Sequence, residues 1–186
     1  MRTYSFGPSL TLKGRKYKGL RGFAGKPFHP PLTDVPVGAY VLAAAFDVGS
    51  VLTDDALSHE LYRAATFALI GGAIVSVLAA VTGTFDWLRS TERGTQARRT
   101  VNAHATTMIT VTLIVLVSIA LRLSAYDDEV STPVVALILS LAGAILTAVG
   151  GTIGGTLVFD YGFNVETASD SAVWHRSETD VLPGQK

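Results

Sequence analysis

Seven residues of this chain carry side chains fit for chemistry in places where the surrounding apolar sequence makes polarity costly. They are His29, Asp34, Asp86, Trp87, Asn102, His104 and Tyr161. His29 and Asp34 lie in "KPFHPPLTDVPVGAY" (26–40), which also holds four prolines and leads into a long apolar run. His104 lies within such a run, where an ionisable side chain normally faces a bundle interior or a cavity. Two imidazoles can ligate a haem iron from its two sides. They can bind a metal ion, with Asp34 or Asp86 completing the set. Alternatively, one can hydrogen-bond a quinone carbonyl and shuttle a proton, because its pKa lies near neutrality. At a quinone site Asp34 and Asp86 would orient the imidazoles, and Trp87 and Tyr161 would form walls. No metal-helix spacing such as HxxxH chooses among the three. No phosphate-binding glycine loop or nucleophile elbow occurs either.

Each residue also has a plain structural reading. Asp34 or Thr33 can cap a first helix, with Pro36 near its first turn. Trp87 and Tyr161 suit an interfacial aromatic belt. His29 can be a solvated loop residue, and Asp86 and Asp160 can be helix ends in water. His104 can bond a neighbouring threonine or the backbone. Asp47 is a second intramembrane charge, and Arg63 is its expected partner. His59, in an acidic loop, is expected to be solvated.

The elements that must position these residues are membrane helices. The 186 residues are 48% apolar and only 16% charged, below the usual quarter for soluble domains. A bilayer core needs about 20 apolar residues in a helix. Four stretches qualify: Val35 to Leu52, Ala64 to Phe85, Thr100 to Leu121 and Pro133 to Phe159. The reading is an all-α, integral membrane four-helix bundle. It comprises a basic leader (1–33), the transmembrane domain (34–162) and a tail (163–186).

Charge orients the bundle. Eleven of the fifteen Lys and Arg residues lie before residue 27 or between residues 89 and 99. The links "TDDALSHEL" and "LSAYDDEVS" are acidic, whereas "DWLRSTERGTQARRT" carries four arginines. Positive loops stay in the cytoplasm. Both termini and the middle loop are therefore expected on the cytoplasmic side, together with all seven candidate residues. The basic leader suits contact with anionic lipid headgroups, and four spans argue against nucleic-acid binding. No signal peptide is visible. Cysteine is absent, so this chain's thiolates hold no iron–sulfur cluster. Gly143, Gly150, Gly151, Gly154 and Gly155 give small-xxx-small spacings that let helix backbones approach closely. Gly71, Gly72 and Gly83 are expected to supply the opposing surface.

"FHPPLTDVPVGAY", "GTFDW" (83–87), "NAHATTM" (102–108) and "GGTLVFDYGFNV" (154–165) together resemble a family of small bacterial four-span membrane proteins of unassigned function. Its pattern is HPxxxDxPxG before span one, G-x-x-D-W closing span two and a histidine early in span three. Members are often joined to cytochrome or Rieske domains, and the tail "VWHRSETDVLPGQK" looks like the opening strand of a Rieske domain. The resemblance implies electron transfer at a bacterial inner membrane, with quinone or haem b as cofactor. The polar edge is also similar to anchor subunits of succinate-dehydrogenase-type complexes. Those hold a dehydrogenase and its iron–sulfur protein on the cytoplasmic face and reduce quinone. The expectation is such an anchor subunit in a hetero-oligomer. A haem b carrier and a purely structural anchor or assembly factor are the rivals.

Overall fold

A computed structural model describes residues 27–126, 129–163 and 165. The leader up to residue 26 and almost all of the Rieske-like tail lie outside the described residues. Four helices follow in order: α1 (His29–Leu52), α2 (Asp55–Ser90), α3 (Gln96–Ser124) and α4 (Val134–Phe159). All four are long and apolar enough to cross a membrane, and no strand occurs among the described residues.

Three helices outrun the apolar stretches that announce them. Most consequential is α1, which begins at His29 rather than near Val35. Prolines suit a first helical turn, where the missing N–H has no partner to lose, and Pro30 and Pro31 occupy that turn. Asp34 and Thr33 therefore lie inside the helix and do not cap it. Thr33 Oγ1 instead donates to Pro30 O at 2.7 Å. Pro36 is buried inside the helix, not at its start. At the other link, Thr95 caps α3 by accepting from Arg98 N at 3.2 Å. The preceding turn needs Gly94 at φ 84°, a left-handed conformation that glycine adopts without a Cβ clash.

The helices pack in a ring, α1 on α2, α2 on α3, α3 on α4 and α4 back on α1. Successive helices run in opposite directions, so α1 and α3 are parallel and face each other across the axis. Small residues predominate inside, around a few large ones such as Tyr40 and Tyr62, and many large apolar residues face outward. Ala43, Ala65, Ala73, Val111 and Val115 pack around Tyr40 and Leu69. Phe67, Ile74, Leu113 and Ile145 are each more than half exposed. That inversion suits a lipid solvent, where close backbone approach replaces the hydrophobic drive of water.

Two corrections to the sequence expectations concern charge. Asp47 pairs with Arg122 of α3, not with Arg63. Arg122 Nη2 meets Asp47 Oδ2, and both side chains are fully buried. Arg63 lies near the surface, with its Nε donating to the Tyr126 hydroxyl at 2.9 Å. His59 is not simply solvated, because its Nδ1 is 2.8 Å from Glu129 O, which ties the two acidic segments together.

The glycines also serve other partners than expected. A Cβ at Gly72 would lie 2.8 Å from the Tyr40 ring, and one at Gly83 would lie 2.8 Å from His29 Cε1. Gly150 faces Met108, and Gly154 faces His104. Gly72 and Gly83 of α2 thus receive side chains of α1, and Gly143, Gly150 and Gly154 of α4 receive side chains of α3. They do not meet each other, because α2 and α4 are diagonal in the ring.

Candidate functional site

The site grows from two helix starts. His29 is the first residue of α1, and His104 lies about two turns into α3. From parallel, diagonal helices they reach the bundle axis at one level. Their ring centroids are 6.5 Å apart, and their planes stand at 83°. Each ring leans on the second helix of its own hairpin. His29 Nδ1 lies 2.8 Å from Ala79 O, and His104 Nδ1 lies 2.9 Å from Gly150 O. Four residues further along each of those helices is the glycine that admits the ring, Gly83 or Gly154. The α1–α2 and α3–α4 hairpins thus repeat one device, and the two imidazoles are equivalent under a pseudo-twofold axis along the bundle.

The tautomer follows from the partners. A carbonyl oxygen only accepts, so each Nδ1 carries the proton and donates it. In the neutral imidazole this leaves Nε2 with a free lone pair. A backbone carbonyl on Nδ1 is the usual way a protein fixes a histidine whose Nε2 serves as a ligand.

The other candidates distribute unevenly around this pair. Asp86 is 5% exposed and close enough for its carboxylate to act on the charge of His29. Trp87 Nε1 donates to Asn102 Oδ1 at 2.8 Å, which stitches α2 to α3 beside the rings. Asp34 is exposed on α1. Tyr161 is exposed beyond the end of α4, where its backbone N–H donates to Thr156 O at 3.2 Å. The structure thus brings His29, His104 and Asp86 together, sets Trp87 and Asn102 at their edge and leaves Asp34 and Tyr161 outside.

Sequence reasoning missed the carbonyls of Ala79 and Gly150 and the ring-admitting role of Gly83 and Gly154. It also missed Arg98. Arg98 Nη1 donates to Trp87 O at 2.7 Å and to Thr91 Oγ1 at 2.6 Å, and its guanidinium lies 4.2 Å from the Trp87 ring centroid.

A family model described as "Predicted membrane protein (DUF2231)" matches residues 25–167. The chain belongs to the DUF2231 family. No curated protein and no solved structure matches it. The matched segment of this DUF2231 protein contains both histidines, all four helices and every candidate residue named above.

Which ligands fit is a question of donor number and room. Among the described residues no group of three or more His, Cys, Asp or Glu could hold a metal ion. A bare ion that needs three or four protein ligands is poorly served by two imidazoles. Haem brings four nitrogens of its own and needs only the two axial positions. An iron about 2 Å from two opposed nitrogens sets the ring centroids roughly 6 Å apart, close to the separation found. Perpendicular ring planes can still share one axis through the iron. A quinone with an imidazole at each carbonyl would need the rings much farther apart. The gap therefore leaves no space for a quinone clamped by both rings, and does not bear on a quinone bonded by one imidazole, the form read from the sequence.

Proposed function

We propose that this membrane protein is an electron-transfer subunit that holds haem b between His29 and His104. It would exchange electrons between redox partners on the cytoplasmic face and quinone in the bilayer. The observation that carries the reading is the matched pair of buried-edge imidazoles, 6.5 Å apart, each with Nδ1 anchored on a helix carbonyl. The pseudo-twofold supports it, because it presents two equivalent imidazole nitrogens, one from each hairpin.

His29 and His104, one from each hairpin, would hold the haem between them. The haem would supply a one-electron couple, and the carbonyls of Ala79 and Gly150 would hold each Nδ1 so that Nε2 is the ligating nitrogen. The charge pattern of the loops favours a cytoplasmic location for this end of the bundle. A dehydrogenase, iron–sulfur or Rieske partner would dock there, as in a succinate-dehydrogenase-like anchor. Quinone then acts as a diffusible carrier meeting the protein from lipid, rather than as a group clamped by both histidines.

The test is an absorption spectrum of the full chain purified in mild detergent with haem supplied. A Soret band is expected, lost in both His29→Ala and His104→Ala while helix content and elution are unchanged. A wild-type protein that takes up no haem would sink the proposal. So would a band that survives both substitutions.

A further inference from the structure

The basic stretch at the histidine end, which runs into α3, contains one guanidinium that stands apart from the rest. Arg89, Arg93 and Arg99 are exposed, whereas Arg98 is partly buried. Two hydrogen bonds from Nη1 and the stack on Trp87 hold it still. Its Nη2 and Nε donate to nothing among the described residues. A fixed guanidinium with a free edge is a ready partner for a carboxylate, which it can grip with two parallel bonds.

Its location gives the carboxylate a source. Arg98 reaches across from α3 to α2, into the seam that separates the two hairpins. It lies six residues before His104, so about 9 Å from it along the helix, toward the bundle end. A haem held between the imidazoles, one on each hairpin, would reach this seam. Its two acidic side chains must point toward water, since carboxylates in hydrocarbon are costly. The water lies toward Arg98.

We propose that Arg98 binds a propionate carboxylate of the haem held by His29 and His104. This rests on the haem reading above. Arg98 is a positioning residue: it fixes which edge of the porphyrin faces out and neutralises one of its charges. Trp87 holds the guanidinium in place from below, and the Trp87–Asn102 bond closes the seam beside it.

The experiment compares haem b with its dimethyl ester, which keeps the porphyrin and lacks both carboxylates. Full-length wild type and Arg98→Gln are titrated with each in detergent. Wild type should prefer the free acid by about tenfold, the worth of one charge-assisted pair. Arg98→Gln should lose that preference. The midpoint potential of bound haem should also fall in Arg98→Gln, because removing a nearby cation disfavours the less positive reduced state. If wild type takes up neither porphyrin, the haem reading falls and this inference goes with it. If haem binds but wild type treats acid and ester alike, the haem reading stands and the Arg98 assignment is wrong. The Arg98 assignment is equally wrong if Arg98→Gln keeps the preference or leaves the potential unmoved. Should Arg98→Gln fail to fold, the wild-type acid-to-ester ratio alone still decides.

Discussion

The two ends of the bundle are built on one geometry and finished in opposite ways. At one end α1 and α3 meet through His29 and His104, and at the other through Asp47 and Arg122. Both separations along the chain are 18 residues, which is five full turns and about 27 Å. Each helix thus points both of its polar residues along one stripe toward the axis. The Asp47–Arg122 end is saturated. Thr132 Oγ1 donates to Asp47 Oδ1 at 2.9 Å, Arg122 donates to Ser118 and Thr66, and Tyr62 lies under its guanidinium. Ser50 and Ser58 exchange bonds with each other's carbonyls, and Thr132 N donates to Ser50 Oγ. At the histidine end both Nδ1 atoms are tied down and both Nε2 atoms are left over. A closed polar network holds structure, and the open one of the same design is where the proposed haem would bind.

The sharpest way to break this contrast is to open the closed end. Arg122→Ala leaves the Asp47 carboxylate buried without its counter-charge, a loss of about 3–5 kcal/mol. Thermal unfolding in detergent should show a large drop or no folded protein. Asp47→Leu combined with Arg122→Met removes both charges and should recover most of the loss, because an apolar pair of similar size is often no worse than a buried ion pair. If the double variant folds but no longer takes up haem, the far end has a part in function and the division of labour between the two ends fails.

The next effect in size belongs to the open end. A Cβ at Gly83 would stand 2.8 Å from His29 Cε1 and 3.0 Å from Nδ1, so Gly83→Ala must push the ring off Ala79 O. Helix stability should hold or rise slightly, since alanine is the better helix former by about 0.5–1 kcal/mol, while haem uptake falls steeply. At Gly154 the added Cβ meets His104 at 3.1 Å, a clash that a few tenths of an ångström relieve. Gly154→Ala should weaken binding less. Gly151→Ala meets nothing within 4 Å and serves as the control that leaves the Soret band untouched. Equal effects from all three would mean that the glycines matter to helix packing in general and not to the rings.

How much of this is legible in the sequence follows the range of each interaction. The four spans are a local property of composition, and hydropathy finds them. His104 and Asp86 stand out because charge inside or beside an apolar run is costly wherever the chain folds. Sequence order points Asp47 to the wrong partner, because Arg63 is its near neighbour across one short link, whereas Arg122 lies 75 residues away. Only the diagonal placement of two parallel helices makes the longer reach the shorter distance. Asp34 resembles a helix cap only while the helix is taken to start near Val35, and Pro30 and Pro31 move that start upstream. The small-residue spacing in α4 is plain, but not its purpose. Nothing in a glycine tells whether a backbone or an imidazole will lie against it.

The smallest effect sharpens the comparison at its boundary. The Trp87–Asn102 bond spans the α2–α3 seam at 2.8 Å, but Asn102 is exposed, so water can replace either partner. Asn102→Ala should therefore cost about 0.5–1 kcal/mol, the low side for a neutral hydrogen bond. Trp87→Phe removes the same N–H while keeping an aromatic face for Arg98. The two should match in stability, and the double variant should add little, since both delete one interaction. Neither touches the imidazoles or their carbonyl anchors, so the Soret maximum should stay in place. A band that shifts in Asn102→Ala would place the porphyrin edge directly against this bond. The open end would then extend from the histidine pair out to the edge of the bundle.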